Sequence, residues 1–102
     1  MTDIKAAEPR FALGELAMTQ AFLTALAESG DNCQQYLERH RQLERGVLSD
    51  DDHQTNQDSL GDGSRIFSAF LLSTGVKIWI ITEAVNDDGK RWSTTMLLPS
   101  DY

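Results

Sequence analysis

The chain has one cysteine, two prolines and no long apolar run, and each scarcity excludes something. With Cys33 alone, no intramolecular disulfide and no cysteine metal cluster can form. The longest apolar stretches fall far short of the roughly 20 residues that a membrane-spanning helix needs. The N-terminus, MTDIKAAEPRF, has acids and a proline where a signal peptide has a basic region followed by an apolar run; the expected compartment is the cytoplasm. Positive charge is also scarce. Nine Lys and Arg against sixteen Asp and Glu give a net charge of −7, which repels phosphate backbones, so direct nucleic-acid binding is not expected.

Enough remains for one packed unit. Apolar residues make up 40% of the 102 and charged residues 25%, a globular composition at the usual size of one domain. Residues 1–10 read as a flexible leader, with Pro9 discouraging a helix before it. Phe11, Leu13 and Leu16 then suit either a short extended segment or a first helical turn. Pattern alone does not decide.

Two helices follow. Thr19 can cap a helix over 20–28, in which Phe22, Leu23 and Leu26 recur at helical spacing and Gly30 supplies a left-handed stop. Asp31 or Asn32 can cap a second over 33–45, with Tyr36, Leu37 and His40 on one face and Gly46 as its stop. These predict a helical hairpin. Ser49, followed by Asp50, Asp51 and Asp52, starts a third helix over 50–60, its acids complementing the positive end of the helix dipole. Leu60 is its clear apolar anchor, so it should pack thinly.

From Ser64 the apolar period changes to two. Strands are expected over 64–73, 76–85 and 91–98, joined by a turn at Thr74-Gly75 and a longer loop at Asn86-Asp87-Asp88-Gly89-Lys90. The fold class is therefore α+β: a helical hairpin and a short acidic helix packed on a three-stranded antiparallel meander. Val76, Ile78, Ile80 and Thr82 should face the helices. The opposite face carries Lys77 and Glu83 at its ends but Trp79 and Ile81 between them. Such a face needs a helix, a terminus or a second subunit over it, or serves as an interface.

Chemistry-bearing residues are few, and no cofactor is expected. Asp50, Asp51, Asp52, His53 and Asp58 crowd together, but consecutive acids on a helix diverge by about 100° each and suit helix capping better than a metal. His40 and Glu44 have the spacing of a surface pair, with no third metal ligand nearby. Cys33 with His40 or His53 is the available nucleophile and base. Arg65, Glu83 and Arg91 on the meander read as cross-strand charge pairs, or as the active site of a small toxin-like RNase; an RNase or hydrolase would otherwise use His53 or His40 with neighbouring acids.

The run LGDGSRIFSAF, the strand VKIWIITEA and the ending STTMLLPSDY, with SDDDHQTNQDSL upstream, resemble a family of short proteobacterial proteins labelled plasmid-related. Some of its members carry the label type I restriction subunit. The likeness extends from Phe11 to Tyr102 and is strongest from Gly63 onward; the chain departs from the family by an insertion around Asn86 to Trp92. The resemblance implies a mobile-element gene and no mechanism. A methyltransferase subunit needs a larger nucleotide-binding α/β domain with a glycine-rich loop after a strand, and the chain has neither. The expected activity is non-enzymatic binding of a protein partner that modulates a host defence or element-maintenance system, with an RNase, a hydrolase or an antitoxin-like subunit as alternatives. The candidate contact residues are Asp50, Asp51, Asp52, Lys77, Trp79, Ile81 and Trp92, and a homodimer through the sheet is a further expectation.

Overall fold

The computed structural model describes residues 9–102. The expected leader lies outside the described residues up to position 8, and the Arg10 amide donates to the Arg41 carbonyl at 3.0 Å. The chain runs β1 (Glu15–Met18), α1 (Gln20–Ser29), α2 (Cys33–Arg41), α3 (Asp50–Asp62), β2 (Ile66–Leu71), β3 (Lys77–Thr82), β4 (Ser93–Leu97) and a 3-10 turn over Pro99–Asp101. The α+β class holds, but the sheet has four strands in the order β1-β4-β3-β2. β2, β3 and β4 form the expected antiparallel meander. β1, left undecided by the pattern, adds to β4 in parallel, so the sheet is mixed.

Local signals place most boundaries. Thr19 accepts the Phe22 amide at 3.1 Å, Asn32 accepts Gln34 at 2.8 Å and Ser49 accepts Asp52 at 3.1 Å, so all three helices begin on a side-chain cap. Both hairpins turn through three residues ending in a glycine of positive φ, Gly75 and Gly89, a type I turn closed by a bulge. The second helix departs from expectation: it ends at Arg41, not at residue 45. Leu43 takes φ +57°, its amide donates to His40, and the Glu44 amide donates to Arg39. This is a Schellman end with leucine in the place usually held by glycine. A left-handed leucine costs about 1–2 kcal/mol. Its side chain is only 2% exposed, and burial worth about 2–3 kcal/mol offsets the strain.

Phe22 and Ala25 of α1 and Tyr36 and Leu37 of α2 meet Phe70, Ile78, Ile80 and Met96 in one core. The expected hairpin is thus two helices, joined by three residues, that share a core with one face of the sheet. α3 sits elsewhere, beside β2, and its buried residues are Asn56 and Ser59; Leu60, its expected anchor, is half-buried. The Asn56 side chain donates to the Phe67 carbonyl and accepts the Phe67 amide at 3.0 Å. It pairs with β2 as a neighbouring strand would. The Val47 amide reaches the Ala69 carbonyl at 2.9 Å, and the Tyr36 hydroxyl lies 3.3 Å from the Leu71 carbonyl. The outer edge of β2 is thereby covered by its own chain.

Arg65, Glu83 and Arg91 do not form the expected charge pairs. Arg91 is buried, and its guanidinium donates to the carbonyls of Ser59, Ser64 and Glu83 at 3.0, 2.7 and 3.1 Å. The three carbonyls collect on a single fork of donors, which ties the end of α3 to the entry of β2 and the exit of β3. The ion pairs among the described residues are Arg39–Glu44, Arg41–Glu38 and Arg45–Asp50.

Replacing Asn56, itself 2% exposed, with Ala removes both bonds to the Phe67 backbone of β2, a loss of about 1–3 kcal/mol. Urea unfolding of wild type and Asn56→Ala measures it; an unchanged midpoint would contradict the edge-covering role.

Candidate functional site

Two places concentrate side chains that could do something. The first is a line of polar groups inside the core. His40 on α2 lies with Nδ1 2.6 Å from the Ser68 hydroxyl of β2 and Nε2 2.8 Å from the Thr82 hydroxyl of β3. Thr82 and Thr94 of β4 meet at 2.7 Å, and the Thr94 hydroxyl donates to the Leu13 carbonyl at 2.8 Å. A carbonyl only accepts, which sets every proton on the line. Thr94 spends its hydrogen on Leu13, so Thr82 donates to Thr94 and His40 Nε2–H donates to Thr82. Nδ1 is left to accept from Ser68. The imidazole is neutral, and its tautomer is determined by a bond to a residue far away in sequence.

A serine hydroxyl 2.6 Å from a histidine nitrogen has the spacing of a nucleophile and its base. Its surroundings do not. Ser68, His40, Thr82 and Thr94 are each 0% exposed, and the Phe11 ring sits edge-on to His40 with centroids 5.1 Å apart. A substrate has no way in. Burial pulls the His40 pKa down to about 3, far below the range useful for a base at neutral pH. The line is a structural clasp.

The other catalytic candidates separate. The Cys33 thiol contacts the Met96 sulfur at 3.4 Å, not His40, and burial pushes its pKa up, away from the reactive thiolate. His53 is half-buried on α3, its Nδ1 enclosed without a hydrogen-bond partner among the described residues. Glu44 pairs with Arg39 at 2.9 Å, so the expected His40–Glu44 surface pair is not made; His40 points inward instead. Among the described residues no group of three His, Cys, Asp or Glu is placed to hold a metal ion, and no helix is long and apolar enough to cross a membrane.

The second place is the sheet face opposite α1 and α2. Pairing of Phe67 with Ile81 and of Ala69 with Trp79 puts these residues on that face. The Trp79 ring meets Phe67 edge-on at 5.0 Å and Tyr102 at 5.7 Å. Phe67, Trp79, Ile81 and Tyr102, with Arg65 at the rim, line a groove of about 210 Å³. Arg65 stacks over the Tyr102 ring at 5.8 Å and makes no ion pair among the described residues. Tyr102 reaches this face because the chain turns back at Pro99, a turn held by Asp101. Its carboxylate accepts from the Thr19 hydroxyl at 2.7 Å and the Leu98 amide at 3.0 Å, and these bonds keep its pKa below the usual carboxylate range.

A polar trough of about 460 Å³ runs alongside, between α3 and β2, lined by Asp52, Asn56, Asp58 and Asp62 among others. Arg65 and Phe67 belong to both, so trough and groove form one surface. Of the residues expected to contact a partner, Trp79 and Ile81 lie in the groove and Asp52 in the trough. Asp50 and Asp51 are exposed on the first turn of α3, and Asp50 is paired with Arg45 at 2.8 Å. Lys77 is exposed at the start of β3. Trp92, 68% exposed, lines neither cavity. Sequence reasoning missed Phe67, Tyr102 and Arg65 as groove residues. The alternation of RIFSAF carries the signal for Phe67; nothing local carries it for Tyr102.

No family model, curated protein or solved structure matches this chain.

The sealed histidine makes stability depend on pH with a definite sign. The folded-state pKa of about 3 lies below the unfolded value near 6.5, so the stabilisation is complete above about pH 6.5 and drains away as acid protonates the unfolded chain. Between those values each pH unit costs up to about 1.4 kcal/mol. Urea unfolding at pH 7 and pH 5 should show the fall, and His40→Gln should flatten it. Equal slopes in the two proteins would contradict this origin.

Proposed function

We propose that the chain is a non-enzymatic protein-binding module, an accessory protein of a mobile element as its sequence resemblance implies. On this reading it docks a host or element protein and so modulates a defence or maintenance system. The observation that carries the reading is the aromatic groove around Trp79, continuous with a trough lined by the carboxylates of Asp52, Asp58 and Asp62. Trp and Tyr dominate binding energy at protein interfaces, because they cover much apolar area at small cost in conformational freedom.

The chemistry of the surface defines its partner. A segment that offers an aromatic or aliphatic side chain to the groove, with Lys or Arg beside it for Asp52, Asp58 and Asp62, satisfies both halves. The net charge of −7 speeds encounter with such a cationic surface and discourages nucleic acid. The enzymatic alternative gains nothing from the geometry, since the Ser68–His40 pair is enclosed and Cys33, His40 and His53 do not converge. No observation favours the antitoxin-like alternative.

Affinity capture from the native host at low salt should recover a stoichiometric partner. Trp79→Ala and Tyr102→Ala should each reduce binding by roughly tenfold or more, the usual loss for an aromatic anchor. Replacing Asp52, Asp58 and Asp62 together with Asn should remove most of the salt dependence. Binding that is the same in wild type and both aromatic variants rules out the groove as the docking site.

A further inference from the structure

The two edges of the sheet are treated differently by the chain. β2 is covered by Asn56, Val47 and Tyr36, as described above. β1 bonds inward through alternate residues: the Glu15 amide donates to the Trp92 carbonyl and the Thr19 amide to the Met96 carbonyl, both at 3.0 Å. That alternation turns the amides and carbonyls of Leu16 and Met18 outward. Among the described residues nothing meets them. The strand Glu-Leu-Ala-Met contains no proline, lysine or bulge of the kind that protects an edge, and its Leu16 is 43% exposed.

We propose that this edge pairs with the same edge of a second copy, β1 antiparallel to β1 about a two-fold axis at Ala17, extending the sheet to eight strands. In one register the edge is self-complementary, which suits a second copy. Centred on Ala17, it places Leu16 opposite the partner's Met18 and Met18 opposite the partner's Leu16. Both are hydrogen-bonded positions, so every outward group on both strands is satisfied. Centred on Leu16, only one such pair forms within the strands. Ala17 suits the axis, where the non-hydrogen-bonded pair brings the backbones to about 4.5 Å between Cα atoms. The exposed Leu16 gains an apolar cross-strand neighbour, and Glu15 faces the partner's Thr19 and not the partner's Glu15. A four-residue edge buries little area and gives a weak, concentration-dependent dimer. Because each copy carries −7, added salt strengthens it by screening the mutual repulsion. The inference stands apart from the groove, which lies on the sheet face and not on this edge.

Sedimentation equilibrium from about 10 µM to about 1 mM, the range suited to an interface of this class, tests it. The expected result is a mass rising toward twice the 11.4 kDa chain, more readily at high salt. Leu16→Pro removes an outward amide while leaving the inward amides of Glu15, Ala17 and Thr19 in place. Leu16→Lys places a charge on the edge. Both should remain monomeric, with the circular dichroism and melting temperature of wild type confirming the fold. Ala17→Cys in a Cys33→Ser background should form an intermolecular disulfide on mild oxidation, since the cysteines meet on the axis. Wild type that stays monomeric at 1 mM overturns the proposal, as does a Leu16→Lys variant that is folded and dimerises as wild type does.

Discussion

Four hydroxyl and imidazole groups enter the core together, and the fold depends on their finding one another. Ser68, His40, Thr82 and Thr94, each enclosed, have no water to fall back on, and an unpaired polar group there would cost more than a typical hydrogen bond contributes. Their mutual bonds require Ser68, Thr82 and Thr94 to face the same side of three adjacent strands, which holds β2, β3 and β4 in register. The last bond ends on the Leu13 carbonyl and draws the segment before β1 against β4. Gly14 completes the approach. It has φ +67°, and a Cβ there would run into the carbonyls of Arg91 and Trp92. From that point the chain enters its parallel pairing with β4. A clasp that looks like a catalytic pair is what sets the position of the fourth strand.

With the reactive-looking groups sealed, the outside of the sheet is what the fold leaves exposed. The helix-covered face is closed by α1 and α2, and the edge at β2 is closed by side-chain and loop amides. Among the described residues the opposite face is only half covered, by the returning Pro99–Asp101 turn and Tyr102, and nothing pairs with the outer edge of β1. The surfaces with unmet capacity are therefore an aromatic groove bordered by carboxylates and a short row of backbone donors and acceptors. Both have the character of contact surfaces.

Much of this was legible along the chain. The switch from a three-to-four residue period to alternation at Ser64, the capping residues Thr19, Asn32 and Ser49, and the glycines of the two hairpins placed three helices and three strands within a few residues of where they lie. The apolar second face was legible too, through Trp79 and Ile81 between Lys77 and Glu83. The misplaced end of α2 has a clear reason. Gly46 carries the local signal for a left-handed stop, but the core takes Leu43 instead, because the burial it gains outweighs the strain.

By itself the sequence determined what neighbours within a turn or a hairpin can settle: periodicity, capping, turn type and the sign of the charge. The tertiary structure alone decided whether residues 15–18 became a strand, where His40 pointed, how Asn56 stood in for a missing strand and what lay over Trp79. These outcomes rest on bonds such as Thr94 to Leu13 and Thr19 to Asp101, whose partners lie 81 and 82 residues apart. No local pattern encodes such a pairing. It follows only when the core closes and each buried polar group must take the partner within reach.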